Sequence, residues 1–111
     1  MGKFAIFRNK KGEFQFDLLA ANGQVILTSE GYTGKSGCTN GIESVRKNAK
    51  SDKNFERKES SNKKFYFVLK AGNGQVIGTS QMYASAESRE GGVESVKKNA
   101  PEAAVDDSTA A

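Results

Sequence analysis

Histidine and tryptophan are absent from this chain of 111 residues, and cysteine and proline occur once each. With no histidine and a single thiol at Cys38, the common zinc constellations and an internal disulfide are excluded. Acid–base chemistry would fall to Glu, Asp, Lys or Tyr, and no glycine-rich phosphate loop is present. Long apolar runs are missing too. No segment approaches the length of a membrane span, and Met1 to Lys10 holds no stretch suited to a signal sequence. Gly2 lacks the Ser or Thr that myristoylation requires. The expectation is a cytoplasmic protein without cofactor, metal or membrane attachment.

What the chain does hold is enough for one core. Seven Phe and three Tyr offset a mean hydropathy of −0.62, and a chain of this length supports a single core rather than two. The net charge is +4. It is concentrated between positions 46 and 64, where Arg46, Lys47, Lys50, Lys53, Arg57, Lys58, Lys63 and Lys64 face only Asp52, Glu56 and Glu59. Residues 106–111, after Glu102, read as an acidic, flexible tail end.

The strongest signal is internal. Phe14, Phe16, Leu18, Ala20, Asn22, Gly23, Gln24, Val25, Ile26, Thr28, Ser29 and Tyr32 return 51 positions later as Phe65, Phe67, Leu69, Ala71, Asn73, Gly74, Gln75, Val76, Ile77, Thr79, Ser80 and Tyr83. "GIESVRKNA" at 41–49 returns in the same register as "GVESVKKNA" at 92–100. The chain is a tandem duplication, with repeat 1 at 1–51 and repeat 2 at 52–105 of a single domain.

In each unit "FQFDLLA" or "FYFVLKA" alternates apolar residues onto one face, and the partner strand follows an Asn-Gly turn. A two-residue turn would point Leu27 inward, whereas a three-residue turn with a glycine bulge would point Ile26 inward. Because Leu27 becomes Gly78 while Ile26 and Ile77 match, the expectation is the bulged turn, with Leu27 outside. Beyond Tyr32 the period becomes helical through Cys38, Ile42, Val45 and Ala49, and again through Val93, Val96 and Ala100. Ser85 caps the second helix, Gly34 stands at the start of the first, and Pro101 ends the second. Gly41 and Gly92 imply a close approach of helix to sheet, and Asn48 and Asn99 read as C-terminal caps. Strands are expected near 3–8, 13–20, 24–29, 53–59, 64–71, 75–80 and 103–107, with helices near 35–49 and 86–99 on one face of one antiparallel sheet.

Phe55 in "KNFERKES" matches Phe4 by the same offset, so one strand ends the first unit and opens the second. Pseudo-twofold symmetry then requires the segment 103–107 to cross back beside Lys3 to Arg8, with Asp106 and Asp107 near Lys3 and Arg8. The fold class is α+β: two tandem β-β-β-α-β units sharing a sheet, with exchanged C-terminal strands.

The pattern F-x-F-x-L-x-A-x-N-G-Q-V-I-x-T-S-x-x-Y, followed by G-[IV]-E-S-V-[RK]-K-N-A, resembles the YegP-like family of small bacterial and archaeal proteins in both copies. The resemblance covers nearly the whole chain and implies the same swapped α+β architecture. It implies no activity and transfers no site residue.

Function is therefore weighed from residue chemistry. Catalysis is not expected: Cys38 reads as a core residue rather than a reactive thiol. The expected function is a binding module for a protein or small ligand, acting as a monomer or weak homodimer. Its candidate residues are Tyr32 and Tyr83 at equivalent junctions beside Thr28, Ser29, Thr79 and Ser80, with Lys47 and Lys98 near the helix ends. Lys63 and Lys64 belong to the alternative, weak nucleic-acid binding through the stretch 46–64, where only Tyr66 is free to stack.

Overall fold

The computed structural model describes residues 2–109. Seven strands form one sheet: β1 (Lys3–Arg8), β2 (Phe14–Leu19), β3 (Val25–Thr28), β4 (Phe55–Glu59), β5 (Phe65–Lys70), β6 (Val76–Thr79) and β7 (Ala104–Asp107), with helices α1 (Lys35–Asn48) and α2 (Ala86–Asn99) after β3 and β6. The order across the sheet is β4-β5-β6-β3-β2-β1-β7. β3 and β6 meet antiparallel with Thr28 opposite Thr79, its own repeat equivalent, so the pseudo-twofold axis passes between them. The fold class and helix limits agree closely with the sequence reading.

Apolar residues of both repeats enter one cluster. Phe4 and Phe16 meet edge to face at 5.6 Å, as do their equivalents Phe55 and Phe67 at 5.7 Å, and Ile42, Val45, Val93 and Val96 of the helices close over them. Gly41 and Gly92 have the role expected of them. A Cβ on Gly41 would collide with the Tyr32 hydroxyl and lie 3.2 Å from Phe16 Cε2, and one on Gly92 would meet the Tyr83 hydroxyl and Phe67 Cε2.

Two expectations about the sheet are corrected. β1 to β6 are antiparallel, but β7 runs parallel to β1, with Lys3 opposite Ala104 and Ile6 opposite Asp107. α2 and the 3₁₀ turn Ala100–Glu102 act as a crossover and return the chain to the end of the sheet where β1 begins; a hairpin would have reversed it. Leu27 is fully buried rather than outward. The three-residue turn is present, with Gly23 at φ +85°, but a second irregularity pairs Leu18 with Leu27 and Leu19 with Val25, which turns Ile26 and Leu27 inward together.

The exchanged strand is anchored. Arg46 Nη2 donates to the Ala103 carbonyl at 2.6 Å, Lys3 pairs with Asp106 at 3.3 Å, and Ser108 donates to the Ile6 carbonyl through its N–H and its hydroxyl. Asp107 pairs with Lys35 of α1 at 2.8 Å rather than with Arg8, whose guanidinium lies over the Phe14 ring. Lys35 and the Thr109 hydroxyl hold the Asp107 carboxyl down to about 2. The flexible tail expected from residue 106 is therefore part of the sheet through Asp107, and Ser108 and Thr109 are bonded; of that segment, Ala110 and Ala111 lie outside the described residues.

Candidate functional site

Each helix carries a Glu-Ser-Val-x-Lys-Asn run that sets Glu43, Ser44, Lys47 and Asn48 of α1, or Glu94, Ser95, Lys98 and Asn99 of α2, on neighbouring turns. In the structure these side chains line clefts that the opposite repeat completes. The first cleft, of ≈ 470 Å³, joins Asn40, Glu43, Ser44, Lys47 and Asn48 to the second repeat's turn, Ala71, Gly72 and Asn73. The second, of ≈ 630 Å³, joins Gly91, Glu94, Ser95, Lys98 and Asn99 to the first repeat's turn, Ala20, Ala21 and Asn22, and adds Glu102. Because each helix lies partly over the neighbouring repeat's strands, one duplication makes both sites at once.

The polar geometry repeats as well. Asn48 Nδ2 donates to the Ser44 carbonyl at 2.8 Å and to Ser44 Oγ at 3.2 Å, and Asn99 does the same to Ser95 at the same distances. These asparagines are thus not left-handed caps: the Ala49 and Ala100 N–H groups close the helices onto Val45 and Val96, and the side-chain amides bond back one turn. A hydroxyl oxygen that accepts from an asparagine amide has its own proton free to donate. Asn22 and Asn73 each accept the N–H of the residue two positions on, at 3.0 Å, which fixes the turn and leaves their amide protons as donors.

Within each run, Glu43 does not pair with Lys47, nor Glu94 with Lys98. Glu43 bonds Arg46 and Glu94 bonds Lys97, each at i+3, so Lys47 and Lys98 carry no ion pair in the described structure. Lys97 also holds Asp52 at 2.7 Å, and Arg57 chiefly, together with Lys97, keeps that carboxyl at about 2.

The other candidates separate. Tyr32 and Tyr83 are fixed by paired backbone bonds to Phe14 and Phe65 and lie half-buried beneath the helices; burial raises both phenols. Tyr32 lines a neighbouring cleft of ≈ 430 Å³ with Glu30, Gln75, Val76 and Ile77, so it shares the second repeat's hairpin with the Lys47 cleft. Three of the four hydroxyls expected beside these tyrosines, those of Thr28, Ser29 and Ser80, donate to other partners. Ser29 and Ser80 are buried, accepting from Phe16 and Phe67 N–H and donating to the Glu30 and Gln81 carbonyls. Thr28 donates to Asp17 on the sheet face away from the helices, where burial pushes the Asp17 carboxyl up.

Lys63 and Lys64 are exposed on the β4–β5 turn, at the end of β5 opposite the Lys47 cleft. Six residues of strand put about 20 Å between them, so the basic stretch is not one patch. Arg46, Arg57 and Lys58 within it are already paired with acids. Cys38 is fully buried and its thiol is raised chiefly by burial. The cross-repeat clefts themselves were not legible in the sequence, although the strict return of Glu-Ser-Val-x-Lys-Asn and Ala-x-Asn-Gly was the signal that marks them.

Two solved relatives share this fold, and related sequences match nearly the whole chain. A UPF0339 protein from the 5′ region of a ptx operon in Stutzerimonas stutzeri is 62% identical over 94% of both chains, and the UPF0339 protein YegP of Escherichia coli K12 is 50% identical over 97% of this chain and 98% of its own. The solution NMR structure of E. coli YegP, a protein of unknown function, superposes with a TM-score of 0.93 at 49% identity, covering 99% of this chain and 95% of that one. A UPF0339 protein of Shewanella oneidensis, also solved by NMR, gives 0.90 at 46% identity over 96% and 90% of the two chains. Residues 9–56 and 60–107 each match the domain of unknown function DUF1508, and this chain, with its two repeats, belongs to that family.

Proposed function

We propose that the protein is a non-catalytic binding module of the bacterial cytoplasm, which takes a polar partner or small ligand in the two helix–turn clefts. One observation carries the reading: an unpaired lysine, a serine hydroxyl oriented by an asparagine and a fixed Asn-Gly turn converge at two equivalent places. These groups keep free donors in open clefts of a size that admits a small ligand or a short peptide. A sealed, high-pKa Cys38 and two neutral phenols argue for binding over covalent or acid–base catalysis. The bacterial relatives, and the lack of any helix among the described residues able to cross a membrane, support the setting.

The test is capture from a bacterial extract by the immobilised chain and by a Lys47→Gln/Lys98→Gln variant, with mass spectrometry of peptides and small molecules in parallel. Material retained by the native chain and lost from the variant supports the reading. Retention unchanged by the double substitution contradicts it. Nuclease treatment of a matched sample separates the alternative: retained nucleic acid that depends on Lys63 and Lys64 favours that class.

A further inference from the structure

The two clefts are equivalent in origin but not in charge, and the geometry points to the first as an oxyanion site of carboxylate or phosphate chemistry, with the second disfavouring the same ligand. This rests on the twin-cleft reading and adds a ligand class to it.

In the first cleft Glu43 is neutralised by Arg46, and what remains is the unpaired Lys47 ammonium with the Ser44 hydroxyl and Asn73 amide as donors. Three donors, one of them cationic, match an oxyanion with several lone pairs to fill. The C-terminal end of α1 brings about half a unit of negative charge to the same place, so the single lysine decides the sign of the site. In the second cleft Glu94 shares Lys97 with Asp52, and Glu102 joins the lining and takes part in no ion pair of the described structure. Lys98 there shares the cleft with the Glu102 carboxylate. Gly91 stands where the first cleft has Asn40, with open space about it, and the second cleft is the larger. A site with one free charge of each sign and more room suits a zwitterion better than an anion.

The experiment is a pair of ¹H–¹⁵N titrations of the whole chain, one with succinate and one with its neutral isostere succinamide. Under the proposal, succinate shifts the amides of Ser44, Lys47, Gly72 and Asn73 with an affinity at least fivefold above that at Ala21, Asn22, Ser95 and Lys98. Lys47→Gln removes the first-cleft response, and Glu102→Gln raises the second-cleft affinity at least threefold. Equal succinate affinity at the two clefts, or no gain from Glu102→Gln, overturns the charge assignment. Equal response to succinate and succinamide at the first cleft also overturns it while leaving the twin-cleft reading intact. No response at either cleft to either probe counts against both.

Discussion

The side chain of Leu27 occupies the space that its repeat equivalent, Gly78, would need for a side chain of its own: a Cβ on Gly78 would lie 2.7 Å from Leu27 Cδ2 and Cγ. The two positions sit beside the pseudo-twofold axis marked by Thr28 and Thr79, where duplicated residues meet each other. Two leucines do not fit and two glycines would leave a void, so one of each fills the site.

That relationship predicts strong coupling. Leu27→Gly should destabilise by at least the about 2–5 kcal/mol of a buried leucine truncation, and Gly78→Leu by about 1–3 kcal/mol through overpacking. The reciprocal double variant should recover most of both losses, measured by chemical denaturation. Additive losses would contradict the shared-space account.

The same pair explains why the sequence misled. Reading Leu27 against Gly78 as two separate environments, each with its own cavity cost, placed Leu27 outside. The position of the axis was needed to see that they compete for one environment. Hairpins, helices, glycine contacts and strand exchange were legible because period and repeat report local packing and symmetry directly. The clefts were not, because each is assembled from residues 23 positions or more apart in different repeats, and only the fold brings Lys47 to Asn73. The direction of β7 escaped for a related reason: pairing was implied by symmetry, whereas direction follows from the crossover geometry of α2.

Strand exchange makes truncation act at a distance. Removing residues from Glu102 onward should abolish amide-exchange protection along one edge of β1, from Lys3 to Ile6, although the cut is in repeat 2. Protection retained in β1 and lost only beside Pro101 would contradict the exchange.

Lys63 adopts φ +65°, the left-handed region, where its repeat equivalent is Gly12 at φ +79°. Lys63→Gly should therefore stabilise the β4–β5 turn by a few tenths to about 1 kcal/mol in thermal or chemical unfolding. A loss of stability would show that the turn draws on the lysine side chain.

Acid should remove one anchor of the exchanged strand. The Asp107 carboxyl is held at about 2 in the folded chain against an ordinary value of 3.8, so its contribution is present above the ordinary value and is lost as pH falls through about 2. Side-chain NMR titration should show Asp107 titrating near 2, and Lys35→Ala should move it back up toward the ordinary range. A native midpoint at the ordinary value would contradict the Lys35–Asp107 pair.

The central claim is that binding takes place where a helix of one repeat meets the turn of the other. The most direct measurement is a set of intermolecular NOEs from whatever ligand the native chain captures. The account predicts contacts to Ser44 or Lys47 of α1 together with Gly72 or Asn73 of the second repeat, or to Ser95 or Lys98 together with Ala21 or Asn22. Contacts confined to one repeat, to the Lys63–Lys64 turn, or to the sheet face around Asp17 and Thr28 would contradict it.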